Sequence, residues 1–333
     1  MGGRNHGAED LPALLSDEWM ERGRADDPTP TEGKPMRIFR HAFSAATILC
    51  VALSMTGFPF AEDQAPLKIG ARSTSTEARA MLEKYQPLMD YLSAKIGRPV
   101  ALQLQPFASS QEILDKLGSG EIDAVILGSS GGALAIRDLG AVPVARPEKG
   151  GISGYRGCII VRKDSGYRKI EDLKGKRFDY VEKGTMAGYI YPRSLLVYPD
   201  GFLAGKKIRM DLDTFFGRVT FTGKHNISVM KVLNGESDGA SVKDRDLETL
   251  SRSDPRVQRE ILVLRRSEMY PDGTLLFRKE TAAATVRAVE KALLGIEKDP
   301  EGKAALASMG ADRFVSTGKK DFALLIRAVS LVK

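Results

Sequence analysis

The fold of this chain is set by residues 174–192, which have the sequence KGKRFDYVEKGTMAGYIYP. This stretch predicts a strand over Arg177–Val181, a tight turn with Gly184, and the start of a helix. The first N–H groups of a helix lack acceptors within the helix, and the helix dipole adds positive charge there. Such a turn can stabilise an oxyanion, to which Thr185 would add a hydroxyl group. An ordinary helix start capped by Thr185 is the alternative interpretation.

The segment that begins at Met36 has the layout of a secretory signal peptide. A basic start is followed by an uncharged run over Ala42–Ala61 and then by Glu62-Asp63. We expect residues 36–61 to be removed as a signal peptide, which predicts a periplasmic protein. A retained membrane anchor is the alternative, because the apolar run is close to the length that spans a bilayer. Residues 1–35 are polar and are interpreted as a disordered extension or a mis-called translation start.

The charge after the signal segment is positive. Residues 1–61 hold 6 of the 50 Lys and Arg residues and 8 of the 43 Asp and Glu residues, which leaves the remainder at +9. A basic exported protein suits a small anionic ligand. Basic clusters with interleaved aromatic residues are absent from the sequence, so we expect no nucleic acid partner. After residue 61 the only cysteine is Cys158, for which we expect a buried free thiol, and the only histidine is His225, so a histidine-based metal cluster is excluded.

Strand and helix patterns alternate along the rest of the chain, which favours an α/β fold with doubly wound sheets. The predicted strands cover residues 66–71, 99–105, 122–127, 155–163, 177–181, 261–264 and 275–278, and another strand begins at Asp238. Helices are predicted after most of these strands, among them 77–96 and a helix that follows Phe221 and ends at Gly235. Ligands of such folds bind at the carboxyl ends of strands. The turn with Ser129 and Ser130 is therefore a candidate site.

Four segments stand in order along the chain: GxxDxxxLG at residues 120–128, VRKDSGxxxxEDLKGKRFxxV at 161–181, GTxxGYxxP at 184–192 and FxGxHxxxxxxVxxGxxDGA at 221–240. With these segments the chain resembles the phosphate/phosphite/phosphonate-type substrate-binding proteins of ABC importers. The resemblance implies a type II-like periplasmic binding protein, in which two α/β lobes are joined by a two-strand hinge. Residues 66–156 with 268–333 would form lobe one, and residues 157–267 would form lobe two.

The same resemblance implies a function in uptake. A small oxyanion of the phosphonate, phosphite or phosphate class would be captured between the lobes, and hinge closure would present it to an ABC permease in the inner membrane. We expect a monomer that needs no cofactor. Another ligand on the same fold, such as an organosulfonate or a thiamine precursor presented to a sensor kinase, is the alternative.

The resemblance also assigns candidate ligand-binding residues. Thr185 matches the first hydroxyl of the family's Ser-Thr-Ser run, and Met186 and Ala187 replace the other two. His225 matches a histidine that contacts the phosphonate, and Asp238 matches an acidic position near the site.

Four further candidates depend on their places in the resemblance. Ser129 and Ser130 would face the cleft from lobe one, and Ser110 stands near the position of a usual cleft aromatic. Arg245 replaces the acidic group with which some aminophosphonate binders hold the amine of the ligand. This exchange of charge favours a more anionic or larger ligand.

Catalysis finds no support in the sequence. It contains no nucleophile elbow, no zinc pattern and no phosphate-binding Walker loop. We therefore expect no catalytic residues, no metal site and no enzymatic activity.

Overall fold

A computed structural model describes residues 65–73, 78–106, 110–198 and 213–331. The predicted signal peptide and the segment before it lie outside the described residues. The strands, in chain order, are β1 (Leu67–Ser73), β2 (Val100–Pro106), β3 (Ala124–Leu127), β4 (Val142–Glu148), β5 (Gly154–Tyr155), β6 (Gly157–Arg162), β7 (Arg177–Tyr180), β8 (Arg218–Phe221), β9 (Gly239–Lys243), β10 (Ile261–Arg266), β11 (Tyr270–Pro271), β12 (Thr274–Phe277) and β13 (Arg313–Ser316).

The helices alternate with these strands, as the sequence predicts. They are α1 (Ala78–Ile96), α2 (Ser110–Ser119), α3 (Ser129–Leu139), α4 (Tyr191–Val197, directly preceded by a π-helical turn, Met186–Ile190), α5 (His225–Leu233), α6 (Asp244–Ser253), α7 (Pro255–Glu260), α8 (Ala283–Leu294), α9 (Pro300–Met309) and α10 (Ala323–Leu331). In the part of the chain that the structure describes, no helix is both long and apolar enough to cross a membrane.

The strands form two large sheets and one small one. A six-stranded sheet has the order β13-β4-β12-β3-β1-β2, and a five-stranded sheet has the order β10-β6-β9-β7-β8. Both sheets are mixed: β1 runs parallel to β2 and β3, and β7 runs parallel to β8 and β9, whereas β12 and β6 run antiparallel to their neighbours. The carboxyl ends of the parallel strands therefore meet at one edge of each sheet.

Apolar side chains cover both faces of the six-stranded sheet. In β3, Ala124 packs into the cluster formed with α1, α8 and α9, whereas Val125 packs into the cluster formed with α2, α3 and α10, and both residues are fully buried. This arrangement accounts for the continuous apolar sequence of β3. In the five-stranded sheet, Cys158 packs against α5 and α6, and the expected buried free thiol is confirmed.

The small sheet is the predicted hinge. Strand β5 pairs antiparallel with β11, so that Tyr270 lies opposite Tyr155 and Pro271 lies opposite Gly154. The prediction of one strand over 155–163 is wrong at its start, because Tyr155 pairs in the hinge whereas Gly157–Arg162 pairs within the five-stranded sheet. Two α/β sheets joined by two strands confirm the predicted fold class. We propose residues 66–156 with 268–333 as lobe one and residues 157–267 as lobe two.

Candidate ligand-binding cleft

The two strand-to-helix turns that carry Thr185 and His225 lie side by side in lobe two. The turn after β8 is bonded to the end of β7, because the N–H of Thr222 donates to Tyr180 O at 3.0 Å and the N–H of Gly223 donates to Val181 O at 2.8 Å. Both turns therefore lie at the carboxyl edge of the five-stranded sheet. The structure brings together the two residues that the sequence singles out most strongly.

The Thr185 turn presents unsatisfied backbone donors. The N–H groups of Tyr189 and Ile190 both donate to Thr185 O, at 3.1 and 3.0 Å, which makes the first helical turn wide. Among the described residues, no backbone carbonyl accepts a hydrogen bond from the N–H groups of Met186, Ala187 or Gly188. These three groups form the start of a continuous helix that runs to the end of α4. They are therefore available to an anionic ligand.

The hydroxyl of Thr185 is used within the turn, where it donates to Glu182 O at 2.8 Å. Close packing fixes this turn in place. A Cβ atom on Gly188 would lie 2.6 Å from Cβ of Val181 and 2.9 Å from Oγ1 of Thr185, so any larger residue would displace the loop.

His225 is held as a neutral hydrogen-bond donor. Its Nδ1 atom accepts a hydrogen bond from the backbone N–H of Lys243 at 3.2 Å, which assigns the ring proton to Nε2. Burial, together with the positive charge of Lys243, lowers the pKa of His225 to about 4. At neutral pH the imidazole is uncharged, and its Nε2–H can donate to a ligand.

Lobe one faces the cleft with the start of α3. Gly128 is exposed there, and Ser130 is half-buried. Ser129 is only 1% exposed, and its Oγ atom lies 2.6 Å from Pro271 O and 2.9 Å from the Tyr155 hydroxyl. A carbonyl can only accept, so the Ser129 hydroxyl is the donor to Pro271 O, and it is also within hydrogen-bond distance of the Tyr155 hydroxyl oxygen. Ser129 therefore ties α3 to both hinge strands, and Ser130 is the serine left open to a ligand.

Two charged residues that the sequence analysis missed lie between the lobes. The ammonium of Lys243, at the end of β9, is 3.5 Å from Oδ2 of Asp272, which follows hinge strand β11. The same ammonium lies 4.3 Å from the ring centroid of Tyr155. A Cβ atom on Gly128 would be 3.2 Å from Oδ1 of Asp272, so this carboxylate lies against the start of α3. The signal in the sequence is weak: Lys243 is the one charged residue of β9 and stands at its end, after four buried residues.

Asp238 lies at the other end of the parallel strands. Its carboxylate accepts from the backbone N–H of Arg177 at 2.9 Å and from the guanidinium of Arg177 at 2.9 and 3.1 Å. These hydrogen bonds hold the pKa of Asp238 below its usual value. The structure does not bring Asp238 together with Thr185 and His225, because the residue precedes β9 whereas the site lies at the carboxyl ends.

The two remaining candidates differ in how far the structure describes them. The guanidinium of Arg245, in the first turn of α6, donates to Ile152 O at 3.0 Å and so reaches the loop before β5. Ser110 begins α2, but its side chain lies outside the described residues. Among the residues that the structure describes, no group of three or more His, Cys, Asp or Glu side chains could hold a metal ion.

Two curated proteins that are similar to this chain bind phosphonates or import phosphate, according to their names. The Phosphonates-binding periplasmic protein of Escherichia coli (strain K12) is 24% identical over 277 residues, which cover 82% of this chain and 76% of the relative. The Phosphate-import protein PhnD of Mycolicibacterium smegmatis is 24% identical over 229 residues, which cover 63% of this chain and 67% of the relative.

Solved structures share the fold. XAC2383 from Xanthomonas citri, bound to ATP, superposes with a TM-score of 0.66 at 19% identity, over 81% of this chain and 98% of that one. PhnD1 from Prochlorococcus marinus, in complex with methylphosphonate, superposes with a TM-score of 0.59 at 16% identity, over 80% and 97% of the two chains. Residues 72–322 match the family described as "ABC transporter, phosphonate, periplasmic substrate-binding protein", and the chain belongs to that family.

Proposed function

We propose that this chain captures a phosphonate, or the related phosphite or phosphate, between its two lobes and presents the closed complex to an ABC permease. The observation that carries the proposal is the neutral Nε2–H donor of His225 beside the unsatisfied N–H groups of Met186, Ala187 and Gly188. Export by residues 36–61 and action as a monomer belong to the same proposal.

Neutral donors suit a binding protein that must release its ligand. Hydrogen bonds from N–H groups to a charged oxygen contribute about 1.5–3 kcal/mol each, and several of them hold an oxyanion without a permanently paired cation. The donors are backbone N–H groups and an imidazole ring whose orientation is fixed by a hydrogen bond from Lys243. Ligand binding therefore costs little conformational entropy. Lobe one adds the first turn of α3 and the hydroxyl of Ser130, and the hinge lets the two edges close on the ligand.

A ligand screen tests the proposal. The protein, purified without refolding, should be stabilised by at least one of methylphosphonate, phosphite and phosphate. At a ligand concentration of about 100 times the dissociation constant the gain is about 2.7 kcal/mol, which thermal unfolding and titration calorimetry both detect. Sulfate and an alkylsulfonate serve as controls. Stabilisation by the alkylsulfonate alone, or chemical conversion of a bound phosphonate, would contradict the proposed function.

A further inference from the structure

We propose that Lys243 determines which phosphonates the cleft accepts, because its ammonium group is a built-in counter-ion of Asp272. The cleft then takes phosphonates without an amino group and discriminates against aminophosphonates. This inference rests on the proposed function and names the ligand class within it.

The ammonium group of Lys243 is held from two sides. It forms an ion pair with Asp272 at 3.5 Å and lies 4.3 Å from the centroid of the Tyr155 ring, a distance at which the ring attracts a cation. The ring is held in place because Tyr155 pairs with Tyr270 in the hinge and its hydroxyl is hydrogen-bonded to Ser129 of α3. The side chains of Lys243 and Asp272 are 30% and 31% exposed, so the ion pair is accessible to solvent at the boundary between the lobes and is not buried in a core.

The pair lies where a ligand would meet it. The backbone N–H of Lys243 orients His225, the donor of lobe two, and Asp272 lies against Gly128, at the start of α3 in lobe one. A carboxylate between these two groups would repel a phosphonate and attract an ammonium group. With the ammonium of Lys243 in place, the charge of Asp272 is already balanced. An amino group on the ligand would then meet a cation instead of a free carboxylate.

The other charged groups near Lys243 do not supply a free carboxylate that could accept a hydrogen bond from the amino group of a ligand. Oδ1 of Asp244 accepts from the backbone N–H groups of Arg156 and Arg245, at 3.0 and 2.8 Å, at the start of α6. Burial raises the pKa of Asp246, a change that the charge of Lys243 opposes. Arg245 adds a further positive charge on the same helical turn. Asp272 is therefore the carboxylate that Lys243 has to balance.

A matched pair of ligands tests the inference by titration calorimetry. Ethylphosphonate and 2-aminoethylphosphonate differ only in the amino group. The wild-type protein should bind ethylphosphonate at least about 10-fold more tightly. In Lys243→Met the aliphatic stem and the backbone N–H that orients His225 remain, but the charge is lost. This variant should bind ethylphosphonate about 10-fold more weakly than the wild type and should prefer 2-aminoethylphosphonate.

Two control variants separate charge from packing. Lys243→Arg keeps the positive charge and should keep the wild-type preference. Asp272→Asn removes the carboxylate, so in this background Lys243→Met should no longer create a preference for the amino ligand. Equal affinity of the wild type for the two ligands, or an unchanged preference in Lys243→Met, would overturn the inference and leave the proposed function standing. If neither phosphonate of the pair binds but phosphite or phosphate does, this inference fails and the proposed function stands. If methylphosphonate, phosphite and phosphate do not bind either, both fail.

Discussion

Replacing Gly154 by alanine should separate the two hinge strands and lower the free energy of unfolding by about 1–3 kcal/mol. A Cβ atom on residue 154 would lie 2.2 Å from O of Tyr270 and 3.0 Å from its carbonyl carbon. Both are backbone atoms of the paired strand, so the clash cannot be relieved by a side-chain rotation. Urea unfolding followed by circular dichroism measures the loss, and titration with methylphosphonate should show weaker binding because the lobes no longer meet correctly.

The matched control is Gly118→Ala in α2. There the new Cβ would meet only the end of the Leu139 side chain, at 3.3 Å, and alanine favours the helix. This variant should be as stable as the wild type or slightly more so. If Gly154→Ala unfolds at the same urea concentration as the wild type and binds equally well, the pair of β5 and β11 is not a rigid hinge.

Removing the His225 donor, or the hydroxyl that fixes the Thr185 turn, should have a large effect on binding and a small one on the fold. His225→Ala should weaken methylphosphonate binding by about 1–3 kcal/mol, or about 5- to 150-fold, the range for a hydrogen bond to a charged group. Thr185→Ala should also weaken binding, because the Thr185 hydroxyl that donates to Glu182 O fixes the turn whose N–H groups face the ligand. The two turns share one ligand, so the double variant should lose less than the sum of the two single losses. Titration calorimetry on the three variants gives the coupling.

Asn234→Ala is the control for these variants, since Asn234 is exposed and directly follows the far end of α5. Its affinity should equal that of the wild type. Equal affinity of the wild type, His225→Ala and Thr185→Ala would place the ligand away from these turns.

The sequence predicted the elements whose signals are local. The apolar run of β3, the helical spacing of α1 and the strand-turn-helix pattern at Thr185 each fall within about 20 residues, and all three appear in the structure. Strand β4 was missed because its sequence, VPVARPE, has two prolines and no clean alternation. It is a strand because β12 and β13 pair with it from distant parts of the chain.

In the candidate site, too, local sequence patterns predict some of the residues, whereas others are brought in by contacts between distant parts of the chain. The turns of Thr185 and His225 follow from local patterns, and the ends of β7 and β8 bring them together. The contact between Lys243 and Asp272 could not be predicted, because it joins the end of β9 to the segment after the hinge and depends on the angle between the lobes. The resemblance made Asp238 a candidate, although a strand is predicted to begin at this residue. The start of a parallel strand lies at the edge of the sheet opposite the candidate site, which is at the carboxyl ends of the strands.

The imidazole of His225 offers the most direct test of the ligand site. The full chain has three histidines, and the heteronuclear NMR signal that is lost in His225→Gln would identify the ring of interest. Between pH 8 and pH 5 this ring should stay neutral, with its proton on Nε2, because its pKa is about 4. Saturating methylphosphonate should shift the Nε2–H resonance strongly and leave the tautomer unchanged. A ring that titrates near pH 6.5, or one whose resonances do not move when the ligand binds, would contradict a cleft in which neutral His225 donates to the oxyanion.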